Sequence, residues 1–156
     1  AGNLITGVVM SGMMKVTVED QGLLQGIAHD LLRERSELKG ENIKILADVN
    51  VKHSAALGEL SLEDEVADLI ERAGADAVIV SGPGTGKIAA VEELATVKAA
   101  AGDAPVLVGS GVSLQSIDAY LSLADGFIIG SYFKVDGKVR NPVDPARVRG
   151  LMERLR

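Results

Sequence analysis

The chain has 156 residues, 47% of them hydrophobic but only 3% aromatic, and a formal net charge of −6. That length supports one domain with an aliphatic core, and an acidic balance argues against a general nucleic-acid binder, which needs a basic face to neutralise phosphates. The chain has no cysteine, which excludes disulfides, thiolate nucleophiles and thiolate metal sites, and no apolar run reaches the ~18–20 residues that span a bilayer.

The run "NLITGVVM", from Asn3, reads as a buried strand. Nothing basic precedes it, so it does not look like a secretory signal, and a cytoplasmic setting is the expectation. A chain that opens almost at once into a strand also suggests a natural start further upstream. Glu19, Asp20 and Gln21 follow this run and either face the ligand end or cap the next helix. "QGLLQGIAHDLLRERSEL" places Leu23, Ile27, Leu31 and Leu38 at helical spacing. "IKILADVNV" is the second strand, and "SLEDEVADLIERAG" the next helix, with Ser61 as N-cap, Asp64 three residues on and Gly74 as C-cap.

"ADAVIVSG" is the third strand, and "VEELATVKAAAG" a helix that ends at Gly102. "APVLVGSG" and "ADGFIIGS" are the fourth and fifth strands, separated by the short helical pattern "SLQSIDAYLSL" from Ser113. "VDGK" reads as a β-turn at Asp136-Gly137. Lys134, Lys138 and Arg140 around it form a basic spot that either closes over a phosphate or is simply solvated. The last helix takes Asp144 as N-cap and Pro145 at its first position.

Five strands alternating with helices predict a parallel α/β protein, because strands buried on both faces are apolar throughout. Two architectures fit: an open doubly wound sheet, or part of a (β/α)8 barrel. Every strand ends in small or polar residues, where both folds bind ligands. In a barrel the last two strand ends often hold phosphate. Gly109, Ser110 and Gly111 after the fourth strand, and Gly130 and Ser131 after the fifth, suit that role. The helix start at Ser113 would add free N–H groups. The alternative is that these glycines only permit tight turns.

Asp48, Asn50 and Lys52 alternate with Val49 and Val51, so on a strand they share a face. Burying an acid, an amide and a base together is costly unless they serve one another or a ligand. Lys52, nearest the strand end, suits a phosphate or carboxylate partner, a Schiff base or proton transfer. Asn50 would orient a hydroxyl, and Asp48 would hold Lys52 or a divalent cation. A structural network of the three is the other reading. His53 points away or lies in the loop, and His29 lies on a helix surface; the pair has no metal-ligand spacing.

"SGPGTGK", Ser81 to Lys87, mimics a nucleotide P-loop. Ser81 stands where the motif needs its first glycine, and Ile88 where it needs Ser or Thr, so the Mg²⁺ hydroxyl is missing. The better reading is a ligand loop with Ser81 and Thr85 as donors.

Taken in order, "DQGLLQGIAHDLLRERSEL", "ILADVNVKHSAALG", "GADAVIVSGPGTG", "PVLVGSGVS" and "ADGFIIGSYFKVDGKVRNPVDPARV" resemble the BtpA/SgcQ family. The resemblance runs from about Asn3 to Arg156. It implies a TIM barrel of the phosphate-binding type, with about five of eight strands present in residues 1–156. It also implies photosystem I biogenesis factors in oxygenic phototrophs and sugar or nucleoside enzymes elsewhere. The expected ligand is a phosphorylated small molecule, a sugar phosphate or nucleotide, with no cofactor or metal assigned and no nucleic acid. Five strands cannot close a barrel, so the missing edge is expected to be covered by an N-terminal barrel half or a second copy.

Overall fold

A computed structural model describes residues 26–49, 59–82 and 87–156 in full, and the backbone alone of short strands at 4–6, 15–17, 23–24 and 54–56. Five parallel strands make the main sheet: β1 (Leu4–Thr6), β4 (Lys44–Val49), β6 (Ala77–Val80), β7 (Val106–Val108) and β8 (Gly126–Phe127). Their spatial order is β1-β4-β6-β7-β8. Each strand is laid beside the one before it, and the order never reverses. A doubly wound sheet reverses at a switch point; a barrel does not. The fold is therefore built from (β/α) units of TIM-barrel type. Among the described residues β1 and β8 each pair on one side only.

The helices pack on one face of this sheet. They are α1 (Ala28–Glu37), α2 (Leu62–Ala67, continued by a wide π-type turn at Asp68–Arg72), α3 (Val91–Ala100) and α4 (Pro145–Arg154). Period-two alternation along β4 divides the core. Ile45, Ala47 and Val49 join Val66, Leu69, Leu94, Val97 and Leu151 in the large cluster under the helices. Leu46 faces the other way, into a small inner cluster with Ala77, Ile79 and Leu107. Asp48 shares that inner face, one step nearer the C-terminal end. All four residues of β6 are buried, as their unbroken apolar run requires.

The caps follow the sequence. Ser61 Oγ accepts from Asp64 N–H at 3.1 Å, and Asp144 Oδ1 accepts from Ala146 N–H at 2.9 Å. Gly74 ends its helix at φ 63°, a left-handed conformation that glycine adopts without strain.

Two elements differ from expectation. Leu23–Leu24 is not the start of a helix but a strand, β3, in an antiparallel sheet with β2 (Lys15–Thr17) and β5 (Ser54–Ala56). β2 and β3 follow β1 and β5 follows β4, so this sheet is built from connections that leave the C-terminal ends of two neighbouring barrel strands. The helix itself begins only at Ala28, and Ile27 and Leu38 at its flanks are exposed. The segment from Ser113 forms turns and a short 3-10 helix, Ile117–Ala119, rather than an α-helix. No helix among the described residues is long and apolar enough to cross a membrane.

Candidate ligand site at the strand ends

Three neighbouring strands bring Asp48, Ser81 and Gly109 together. β4 aligns Asp48 with Ile79 of β6, and Ser81 stands two residues further along that strand, on the same face. Ser81 Oγ donates to Asp48 Oδ1 at 3.0 Å, and Ser81 is buried. On the next strand, Gly109 continues the ladder by donating its N–H to Val80 O at 2.8 Å. A Cβ at Gly109 would lie 2.6 Å from Ile79 Cγ2 and 3.0 Å from Ser81 Oγ. Only a hydrogen fits there. Gly109 thus keeps open the space that the Ser81 hydroxyl occupies when it bonds Asp48.

Ser110, buried, and Gly111 follow on the same strand end. Gly111 has φ 68°, and a Cβ there would meet Lys87 O at 2.5 Å; one at Gly82 would meet the same oxygen at 2.1 Å. The backbone returning at Lys87 and Ile88 therefore lies directly on two glycines. Tyr120 fixes the next step. Its buried phenol donates to Ala89 O at 2.9 Å, and burial pushes its pKa up, so the donor stays protonated.

The Ser113 turn is braced from within. Ser116 Oγ accepts from Ser113 N–H at 2.9 Å and donates to Gly111 O at 2.9 Å, while Ser113 Oγ accepts from Ser116 N–H at 3.3 Å. The sequence predicts that the turn at Ser113 offers free N–H groups to an anion, but the N–H groups of Ser113 and Ser116 are already bonded within it. On the last strand end, Gly130 is exposed and a Cβ there would meet nothing within 4 Å. Ser131 opens the 3-10 turn Ser131–Phe133. Arg147 of α4 holds that turn: Nη1 donates to Tyr132 O at 3.2 Å, and the guanidinium lies 5.6 Å from the Tyr132 ring centre.

The structure thus joins Asp48, Ser81 and Gly109, with Ser110 and Gly111 continuing the same strand end and Gly130 and Ser131 on the neighbouring one. Asn50, Lys52, His53 and Thr85 lie outside the described residues. Sequence reasoning missed Ser116, whose only signal is its spacing from Ser113, and the Arg147–Tyr132 clip, which has none. Chemically, Ser81 orients one oxygen of a carboxylate beside backbone stripped of side chains. Such a site can accept from a ligand hydroxyl and admit an anion close to the main chain.

A slice of (β/α) barrel with its polar residues at the strand ends is the class that this fold defines. Within that class, the chain belongs to the BtpA family, whose model matches residues 6–156. It is 45% identical over 93% of its length to an uncharacterized protein of Thermococcus kodakarensis, covering 53% of that protein. It is 40% identical over 98% of its length to the photosystem I biogenesis protein BtpA of Synechocystis, covering 50% of it. An uncharacterized mitochondrial protein of Caenorhabditis elegans is 38% identical over 92% of this chain, which covers 52% of it. The chain spans about half the length of the curated relatives that it matches.

Proposed function

We propose that this chain carries the ligand-binding part of a barrel that takes a phosphorylated small molecule, a sugar phosphate or nucleotide, at its strand ends in a cytoplasmic setting. Gly109, Ser110, Gly111, Gly130 and Ser131 hold the phosphate, Ser81 and Thr85 add donors, and Asp48, Asn50 and Lys52 stand at the reacting end. The observation that carries this reading is the Gly109 gap: a side chain is excluded where the oriented Asp48–Ser81 pair meets bare backbone.

The outer strands, each paired on one side among the described residues, bear on the partner. An apolar cleft of about 470 Å³ lies beside β8, lined by Phe127, Ile129, Phe133, Leu151, Met152 and Leu155. A second, of about 260 Å³, lies beside α1 and is lined by Leu31, Leu38, Ile43 and Ile45 among others. The cleft beside β8 supports an N-terminal barrel half, or a second copy, as the cover for that edge.

The test is a thermal melt against a panel of phosphate esters. A ligand that binds only the folded state adds ~2.7 kcal/mol at about 100 times its dissociation constant. One ester that raises the midpoint, and loses that effect in Lys52→Ala, supports the reading; indifference to the whole panel sinks it. The second reading is a non-catalytic assembly factor for a membrane complex, favoured by the name of the Synechocystis relative. It predicts that Lys52→Ala is silent in any biological assay.

A further inference from the structure

β8 and the residues just beyond it divide between two faces. Phe127 and Ile129 pack, partly buried, on the large cluster under the helices. Gly126 aligns with Leu107 of β7, whose side chain belongs to the inner cluster, and a Cβ at Gly126 would lie 2.9 Å from Leu107 Cδ2. Period-two alternation therefore puts Gly126 and Ile128 on the inner face. Gly126 carries no side chain, and neither does Gly130, two residues beyond Ile128. Ile128 is thus the one side chain that this stretch sends inward. It belongs to neither core cluster and is 38% exposed.

Register fixes what stands beside it. Val80, Val108 and Phe127 are aligned across β6, β7 and β8. The next rung repeats on both sides of β7: Gly109 N–H donates to Val80 O at 2.8 Å, and Ile128 N–H donates to Val108 O at 2.9 Å. Ser81, Gly109 and Ile128 are therefore neighbours in one row of the inner face, at the ligand end of the strands. The row makes a trough. Its floor is the bare backbone of Gly109, and the three atoms nearest a Cβ there, Ile79 Cγ2, Ser81 Oγ and Val80 O, all come from the β6 side. Ser81 and Ile128 stand two strand spacings apart, roughly 10 Å between Cα atoms. One wall is a hydroxyl bonded to the Asp48 carboxylate; the other is an aliphatic side chain that gains by being covered.

We infer that Ile128 is a specificity-determining residue of the strand-end site, and that it selects a sugar phosphate. The inference rests on the phosphate reading proposed above. A sugar carries both hydroxyls and C–H surface. In the trough its hydroxyls reach the Asp48–Ser81 pair while its C–H surface covers Ile128, and its phosphate lies on the backbone of Gly109–Gly111 and Gly130. Free phosphate has no carbon to place on Ile128. A ligand with a second charged group there would leave that charge desolvated beside an aliphatic wall, which is costly.

Calorimetric titration of the chain with glucose 6-phosphate, ribose 5-phosphate, adenosine 5′-monophosphate and inorganic phosphate tests it. At least one of the two sugar phosphates is expected to bind more tightly than inorganic phosphate. Ile128→Ser should weaken that sugar phosphate about tenfold, the share of a partly buried isoleucine, and leave inorganic phosphate unchanged. Ile128→Val keeps most of the aliphatic surface and should weaken it by less than about threefold. The position is exposed, and circular dichroism checks that each variant folds. A sugar phosphate that binds Ile128→Ser as tightly as the parent overturns the inference and leaves the strand-end reading standing. Equal weakening of sugar phosphate and inorganic phosphate also overturns it, because Ile128 would then support the phosphate end rather than choose the ligand. Binding of the nucleotide with neither sugar phosphate overturns the ligand class. Absence of binding by all four overturns the strand-end reading together with the inference.

Discussion

Asp76 and Ile45 hold each other twice. Asp76 N–H donates to Ile45 O at 2.8 Å, and Asp76 Oδ2 accepts from Ile45 N–H at 2.9 Å. The same clamp recurs two strands away: Asp125 N–H donates to Val106 O at 2.8 Å and Asp125 Oδ2 accepts from Val106 N–H at 2.7 Å. Each aspartate stands just before a strand and seals the first open N–H of the strand beside it. A lysine completes each, Lys44 at 2.7 Å from Asp76 and Lys98 at 2.6 Å from Asp125. The clamps sit at the N-terminal ends of the strands, away from the candidate site, so their role is stability. Asp76→Ala or Asp125→Ala leaves a partly buried N–H without its acceptor, which costs about 1–3 kcal/mol. Denaturant midpoints should fall by that cost divided by the slope, which itself stays unchanged. Asn at either position keeps an acceptor oxygen and should cost less.

The clamps also set an acid limit. Burial raises the Asp76 pKa, but the Lys44 hydrogen bond, the Ile45 N–H and the charges of Lys44 and Arg35 together outweigh it and hold the group below its ordinary value. Asp125 is lowered by its bonds to Lys98 and Val106 N–H. With folded values below unfolded ones, the unfolded chain binds more protons in between, so stability rises with pH there. The contribution is complete above an ordinary aspartate pKa of about 4 and is lost as pH falls through the folded values. Asp125 is more exposed than Asp76, so water screens more of its share. Urea melts from pH 6 down to pH 2 should show the Asp76→Asn protein losing less stability across this window than the parent. Parallel curves would reject the assignment.

Glycine substitutions separate the site from mere turns. Gly109→Ala pushes a methyl into Ile79 and the Ser81 hydroxyl, and overpacking of this kind costs roughly 1–3 kcal/mol. Gly130→Ala meets open space at φ −110° and should change stability by less than about 0.5 kcal/mol. Gly102→Ala also meets open space but carries φ 57°, so it should cost about 1 kcal/mol from backbone strain alone. The order Gly109, Gly102, Gly130 is the expected ranking of midpoint loss. If Gly109→Ala were as mild as Gly130→Ala, the packed contact of Gly109 with Ser81 would have to be abandoned.

These relationships explain what could be read from the residues and what could not. The strands were legible from their apolar runs, most clearly Ala77–Val80, where all four residues are buried. The caps at Ser61, Gly74 and Asp144 were legible because capping is local. Leu23–Leu24 was not, because its strand exists only by pairing with Lys15–Thr17, and a local apolar spacing cannot report a distant partner. The candidate site divides the same way. Asp48 was visible from period-two alternation within one strand. Its bond to Ser81, 33 residues away, depends on the register between strands. The meaning of Gly109 depends on a distance that neither strand encodes alone. Thr85, Asn50 and Lys52 remain expectations from spacing, since they lie outside the described residues.

Tyr120 links the core to the returning loop at Lys87–Ala89. Its side chain is fully buried, and its hydroxyl donates to the carbonyl of buried Ala89. Tyr120→Phe keeps the ring packing and removes the donor, leaving that carbonyl unsatisfied; the cost should be about 1–2 kcal/mol. The local consequence should exceed the global one. Lys87 O is what packs on Gly82 and Gly111, so freeing Ala89 loosens the backbone that lies over both glycines. Hydrogen exchange at residues 87–90 should accelerate beyond what the loss of global stability explains, while exchange in α3, on the far side of this segment, should follow the global change alone. Uniform acceleration across both would show that Tyr120 serves only the core, and the loop would need another anchor.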